Sequence, residues 1–150
     1  MKNEKNEFRS LTIDEIQIGM RATYSHTVTD ADVKAFAALT GDNNPLHLND
    51  EFATNSKFGA RIVHGMFLAS FFPSLMCNEI TGPGSVYVSQ NLRFKRPVYI
   101  GDTVVAEVIV SSINIAKRRV FFNAACSVNG RVVIEGEGEA FIPKPHRKSE

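Results

Sequence analysis

Asp42 and His47 stand five residues apart in "LTGDNNPLHLNDEFA" (39–53), an acid and an imidazole separated by two asparagines, a proline and a leucine. Five apart is not one face of a helix, whose neighbours sit three or four apart. Pro45 instead drives Asn44 out of the helical region. The chain must therefore turn sharply after Gly41, and the two side chains can approach from two sides of one loop. Histidine titrates near neutral pH and a carboxylate can orient or share its proton, so the pair suits general acid–base chemistry. Asn43 and Asn44 supply amides able to fix the loop or hold a water. A plainer reading fits the same residues: Asp42 and Asn44 as turn residues bonding their own backbone, and His47 as a packing side chain.

A second feature lies in "RIVHGMFLAS" (61–70), where Gly65 opens an apolar helical run. The first N–H groups of a helix lack an intrahelical partner, and a glycine there lets a ligand atom come close to the main chain. That end carries partial positive charge, so the Gly65 N–H can hold a developing enolate or oxyanion. Taken alone, Gly65 reads equally as a packing glycine with His64 as a partial cap. Acid–base pair and oxyanion donor together describe chemistry beside a thioester carbonyl.

The elements that must hold these groups follow from periodicity. "MRATYSHTV" alternates as a strand, and "TDADVKAFAALTG" reads as a short helix. Thr29 caps it with Asp32 three residues on, Val33, Phe36, Ala37 and Thr40 form its stripe, and Gly41 stops it. Another short helix begins at Asn49 or Asp50. "HGMFLASFFPSLMCNEI" is apolar on nearly every side, as a helix surrounded by protein must be. Pro73 sits inside it and deletes a hydrogen bond to Ala69, so the helix kinks there or starts a new segment. "SVYVSQNLRF", "TVVAEVIVSSINI", "RVFFNAACSV" and "RVVIEGEGEAFI" are β-rich. Asn129-Gly130 marks a tight hairpin, "KRR" (117–119) another reversal, and "RPVYIGD" a longer connection. "GEGEAF" matches no phosphate loop and belongs to the last strand. Helices segregated from a run of antiparallel strands give an α+β fold.

Composition narrows the partners. A chain of 150 residues with 43% hydrophobic and 22% charged residues is one ordinary globular domain. Its 17 Lys and Arg against 16 Asp and Glu create no field for nucleic acid or anionic lipid. "MKNEKNEFRS" lacks the apolar core of a secretory signal, and no run is long enough to span a bilayer. Cys77 and Cys126 have no metal-type spacing and read as reduced thiols, which points to the cytoplasm. Residues 1–10 and 144–150 read as frayed ends around a single domain over 11–143.

"FAALTGDNNPLHLNDEFA" closely resembles the signature of MaoC-like (R)-specific enoyl-CoA hydratases: apolar, Ser/Thr, Gly, Asp, any residue, Asn, Pro, apolar, His. "RIVHGMFLAS" resembles that family's second block and "GSVYVSQNLRFKRPVYIGD" its third, in family order from about Leu11 to Pro143. The resemblance implies a hotdog fold, a five-stranded antiparallel sheet around a long central helix beginning at Gly65. It also implies a homodimer, or a higher assembly of dimers, joined at sheet edges. On this sequence Asp42 and His47 become the catalytic pair and Gly65 the oxyanion donor, with Asn44 supporting the loop. Ser70 matches a family serine beside the acid, and its hydroxyl can bond that acid or its own helix. The implied reaction is reversible hydration of trans-2-enoyl-CoA to the (R)-3-hydroxyacyl-CoA, needing no metal or other cofactor. Phe67, Phe71 and Phe72 border the family's acyl pocket, which suggests a shallow, short-chain site; the plainer reading is core filling. Lys95, Arg96, Lys117, Arg118 and Arg119 lie in turns and can meet carrier phosphates or only water. The alternatives are a dehydratase acting on acyl-carrier-protein substrates, a thioesterase, and a non-catalytic acyl-thioester binding module. A thioesterase of this fold usually draws an acid from the central helix; residues 65–78 contain none, and Glu79 lies at the far end.

Overall fold

Three long antiparallel strands form the centre of the molecule, two of them alternating between a buried and an open face. The computed structural model describes residues 11–144, so the two expected frayed ends lie outside the described residues apart from Lys144. In chain order the strands are β1 (Arg21–Thr27), β2 (Val86–Gln90), β3 (Arg93–Phe94), β4 (Thr103–Asn114), β5 (Arg119–Val128) and β6 (Arg131–Phe141). All pairings are antiparallel, in the order β1-β4-β5-β6-β2, and the two-residue β3 also pairs β6. The expected five-stranded path is present. The segment read as one strand, "SVYVSQNLRF", is interrupted at Asn91-Leu92 and supplies both β2 and β3.

One face of this sheet is apolar. Val104, Ala106, Val108 and Val110 of β4 and Val120, Phe122, Ala124 and Cys126 of β5 are buried in alternation, as a half-covered antiparallel sheet requires. Register shifts between Val110 and Ser112 and between Cys126 and Ser127 bend the strands. Gly138 of β6 belongs here because a Cβ on it would lie 2.2 Å from Cζ of Phe122. The β5–β6 hairpin turns on Asn129 (φ +50°) and Gly130 (φ +76°), the positive pair that a two-residue loop needs.

Leu68, Phe72, Leu75, Met76 and Ile80 fill the concave face. They come from the expected central helix beginning at Gly65, which runs as three successive segments: α4 (Gly65–Ala69), α5 (Phe71–Ser74) and a π-helical stretch (Leu75–Ile80). The break falls at Ser70, three residues before Pro73. There the proline occupies the first turn of a new segment, where its missing N–H costs nothing.

The remaining helices are α1 (Asp30–Thr40), α2 (Pro45–Leu48) and α3 (Asp50–Thr54). Thr29 and Asp32 close a reciprocal capping box on α1, and Gly41 ends it at φ +76°. Val33 and Ala37 of its stripe are buried, while Thr40 is exposed and bonds back to the Phe36 carbonyl. Pro45 was expected only to turn the chain; it also starts α2 at the first helical position, capped by Asn44. Asn49 likewise caps α3. No helix among the described residues is long and apolar enough to cross a membrane.

Candidate active site

The loop from Gly41 to His47 is built by its own polar side chains. Asn44 donates its backbone N–H to Asp42 Oδ1 (3.4 Å), and its side-chain oxygen accepts from the Leu46 N–H (3.0 Å). His47 N–H closes the turn on the Asn44 carbonyl. The turn reading of Asp42 and Asn44 is thus correct, but it leaves most of the Asp42 carboxylate unengaged, with the side chain half exposed.

His47 is fixed from a second direction. Its Nδ1 lies 2.7 Å from the Ile62 carbonyl. A carbonyl only accepts, so in the neutral ring Nδ1 carries the hydrogen and Nε2 is left as the basic position. Arg61, with its side chain only 11% exposed, donates from Nε to the His47 carbonyl (2.6 Å) and from a terminal nitrogen to Asp30 Oδ1 (2.6 Å). This buried arginine ties the end of α2 to the start of α1.

Gly65 arrives on the other wall. Val63 N–H bonds the Val98 carbonyl (2.7 Å), and Ile62 bridges Tyr99, so the "RPVYIGD" connection holds the entry to α4. A Cβ on Gly65 would lie 2.4 Å from Cδ1 of Phe94, so only glycine lets the β3 ring pack here. As the first residue of α4, Gly65 has an N–H outside the intrahelical ladder.

His64 makes no side-chain cap bond, so the partial-cap alternative does not describe it. Its Nε2 donates to the Asp42 main-chain carbonyl at 3.1 Å and lies 4.0 Å from Asp42 Oδ2. Its ring stacks on that of His47, centroids 3.9 Å apart. Burial pushes its imidazole below the ordinary histidine value; the hydrogen bond to Asp42 opposes this shift, and the nearby His47 adds to it.

One nitrogen or oxygen from each of Asp42, His47 and His64 falls within 4.8 Å of the others. Among the described residues, these are the ones that could approach a metal ion. The spacing suits a water: two hydrogen bonds of about 2.8 Å meeting at one oxygen span roughly 4.5–5 Å.

The three residues and Gly65 line a cleft of about 580 Å³. Val63, Leu68, Val98 and Ile134 form its apolar wall, and Phe94 and Met66 its half-exposed rim. Of the basic turn residues, Lys95 and Arg96 reach this cleft, joined by Lys57. Arg118 instead bonds the Ile142 and Pro143 carbonyls, and Arg119 pairs with Glu139. Phe67 and Phe71 pack with Tyr24, His26 and Phe36, while Phe72 is wholly buried. None of the three lines the cleft, so the expectation of a pocket shortened by these rings is withdrawn: they face β1, α1 and the core. Ser70 Oγ donates to the Phe67 carbonyl of its own helix, the second of the two expected partners. A larger hollow, about 680 Å³, lies against Glu107, Asn123, Glu135 and Glu137 on the sheet's outer face, with no imidazole among its lining residues.

The chain has counterparts among known proteins. Residues 12–131 match the model of the MaoC like domain. The chain belongs to this MaoC-like family. A relative from Rhodospirillum rubrum named (R)-specific enoyl-CoA hydratase is 42% identical, over 87% of this chain and 90% of its own. A mitochondrial 3-hydroxyacyl-[acyl-carrier-protein] dehydratase of Solanum lycopersicum is 40% identical, over 85% of this chain and 78% of its own. The solved (R)-hydratase from A. caviae, described as involved in PHA biosynthesis, superposes with a TM-score of 0.83 at 39% identity, covering 86% of this chain and 98% of that one. The α+β hotdog architecture of this MaoC-like chain is the one its R-hydratase neighbours share.

Proposed function

We propose that the chain is an (R)-specific enoyl-CoA hydratase, a hydro-lyase adding water reversibly across trans-2-enoyl-CoA to give (R)-3-hydroxyacyl-CoA. The observation carrying this reading is the spacing at the cleft: carboxylate and imidazole lie within 4.8 Å, with no direct hydrogen bond between them. Asp42 and His47 hold one water there. Its oxygen bonds to C3, one O–H bond breaks, and the proton is delivered through the pair to C2 from the same face as the double bond is lost. The Gly65 N–H receives the thioester oxygen while negative charge sits on it. General acid–base help is worth about 10²–10⁴ in rate, and one oxyanion donor about 10²–10³. Asn44 supports this by shaping the loop; Ser70, committed to its own backbone, takes no direct part.

The same reading gives the carrier and the assembly. Lys57, Lys95 and Arg96 border the cleft, whose one lining carboxylate is Asp42, so the phosphate-bearing carrier enters over that rim. A thioesterase of this fold has no acid to draw on in 65–78. A homodimer buries the free edge of β2, where Val86 and Val88 are exposed; a one-chain mass in sedimentation would remove that part. A cytoplasmic location rests on Cys77 and Cys126 being unpaired.

Crotonyl-CoA, followed in the ultraviolet with a thiol reagent in parallel, tests the function. Hydration removes the conjugated absorbance and releases no thiol. Thiol release would make the protein a thioesterase, and no change in either signal would make it a binding module. Turnover only with an acyl-carrier-protein thioester would move it to the dehydratase alternative.

A further inference from the structure

His64 is the most enclosed polar side chain at the site, at 2% exposure. Its Nε2 faces a main-chain carbonyl, which accepts only, so the hydrogen resides on Nε2. Its Nδ1 is buried without a hydrogen-bond partner among the described residues. Adding a proton there would create a buried N–H with none of their acceptors in reach, which is costly. Geometry alone therefore keeps this ring neutral and in one tautomer. The face of that ring backs His47 at 3.9 Å, and Phe36 of α1 closes on it at 4.9 Å.

We propose that His64 is a positioning residue, a permanently neutral imidazole. Its Nε2–H fixes the Asp42 main chain and its face backs His47, keeping the acid and the base one water apart. The proposal rests on the hydratase reading. Neutrality matters because His47 gains positive charge as it takes a proton from water, and a second cation stacked on it would oppose that step. The charged or titratable groups facing His64 are Asp42 and His47, with Lys57, Lys95 and Arg96 further along the same cleft. The downward shift of the His64 imidazole by burial agrees with this.

Two variants separate donor from bulk. His64→Phe keeps a ring against His47 and removes the donor; His64→Gln keeps an N–H at a similar reach and removes the ring. On crotonyl-CoA, His64→Phe is expected to lose about 10²-fold in kcat with KM within about threefold, as loss of positioning rather than binding predicts. His64→Gln is expected to recover about tenfold of that loss through the retained donor. A His64→Phe kcat within about threefold of wild type, a loss confined to KM, or a Gln variant as slow as Phe would each overturn the proposal. Nitrogen-15 NMR of the substrate-free wild-type protein provides a reading independent of variant folding. Expected is an Nε2–H tautomer unchanged between pH 8 and about pH 6; an Nδ1–H tautomer or a protonated ring overturns the proposal. Failure of the wild-type protein itself to hydrate crotonyl-CoA would overturn the hydratase reading and this one together. Any of the other results, with an active wild type, overturns this one alone.

Discussion

Helix α1 has a histidine–aspartate neighbourhood at each end, and the two are wired differently. At its start, His26 Nε2 meets Asp32 Oδ2 at 2.8 Å, and His26 Nδ1 meets the Tyr24 hydroxyl at 3.1 Å. Asp32 also receives the Thr29 N–H at 2.9 Å. Both ring nitrogens and the carboxylate oxygen are used, and none of these residues lines the cleft of Asp42 and His47 or the outer hollow of the sheet. Just past the end of α1, Asp42 and His47 make no direct bond, each keeps an unspent polar atom, and both face a cavity. The same two residue types thus form a clamp joining β1 to α1 in one place and, in the proposed hydratase, the reactive groups in the other. In that proposal the chemistry resides where valences are left open, not where a histidine and an acid are closest.

The strongest way to break this contrast is to disable each end. Asp42→Asn or His47→Ala should lower crotonyl-CoA hydration by about 10²–10⁴-fold with the circular dichroism spectrum unchanged. Either variant keeping more than about a tenth of the wild-type rate would mean that the separated pair is not the reactive one. Asp32→Ala should do the reverse. It removes the capping box and the His26 pair, lowering stability by about 1 kcal/mol in a denaturant titration while kcat at 25 °C stays within about twofold. A rate loss comparable to the Asp42 variant would erase the distinction.

The smallest expected effect is on pH. The folded-state value of His64 lies below its ordinary 6.5, so between the two values the unfolded chain binds the extra proton. Stability should therefore fall as pH drops below about 6.5, and His64→Phe should flatten that limb. Asp32, whose carboxyl is held below 3.8 first by the Thr29 N–H and then by His26, contributes above the ordinary value. Its share is lost only as pH falls further. Urea midpoints at pH 7 and pH 5.5 for wild type and His64→Phe read the first limb; equal slopes would show that His64 is not held neutral.

How far the sequence could be read follows the range of the interactions. The capping box at Thr29, the stop at Gly41, the turn bonds of Asp42 and Asn44 and the Asn129-Gly130 turn all join residues within four positions of one another. Strand alternation is equally local, and the "GDNNPLH" spacing carries the family signature. The roles of His64 and Arg61 are not legible in the sequence because their partners are remote: His64 bonds across 22 positions and Arg61 across 31. No periodicity reports such a contact. The faces taken by Phe67 and Phe71, and the partner chosen by Ser70, depend on how α4 and α5 rotate against the sheet, which a helix apolar all round leaves open.

By itself, then, the sequence determined the turns, the α1 cap, strand alternation and the family signature that nominates Asp42, His47 and Gly65 for the proposed site, because each is a property of residues near one another in the chain. Only the tertiary structure decided which wall faces which: Ile62 fixing the His47 tautomer, His64 stacked behind it, Phe94 against Gly65, and three cations around one cleft. Those relations arise when a curved sheet and a broken helix close on each other. Packing, rather than local preference, sets the distances on which the proposed chemistry depends.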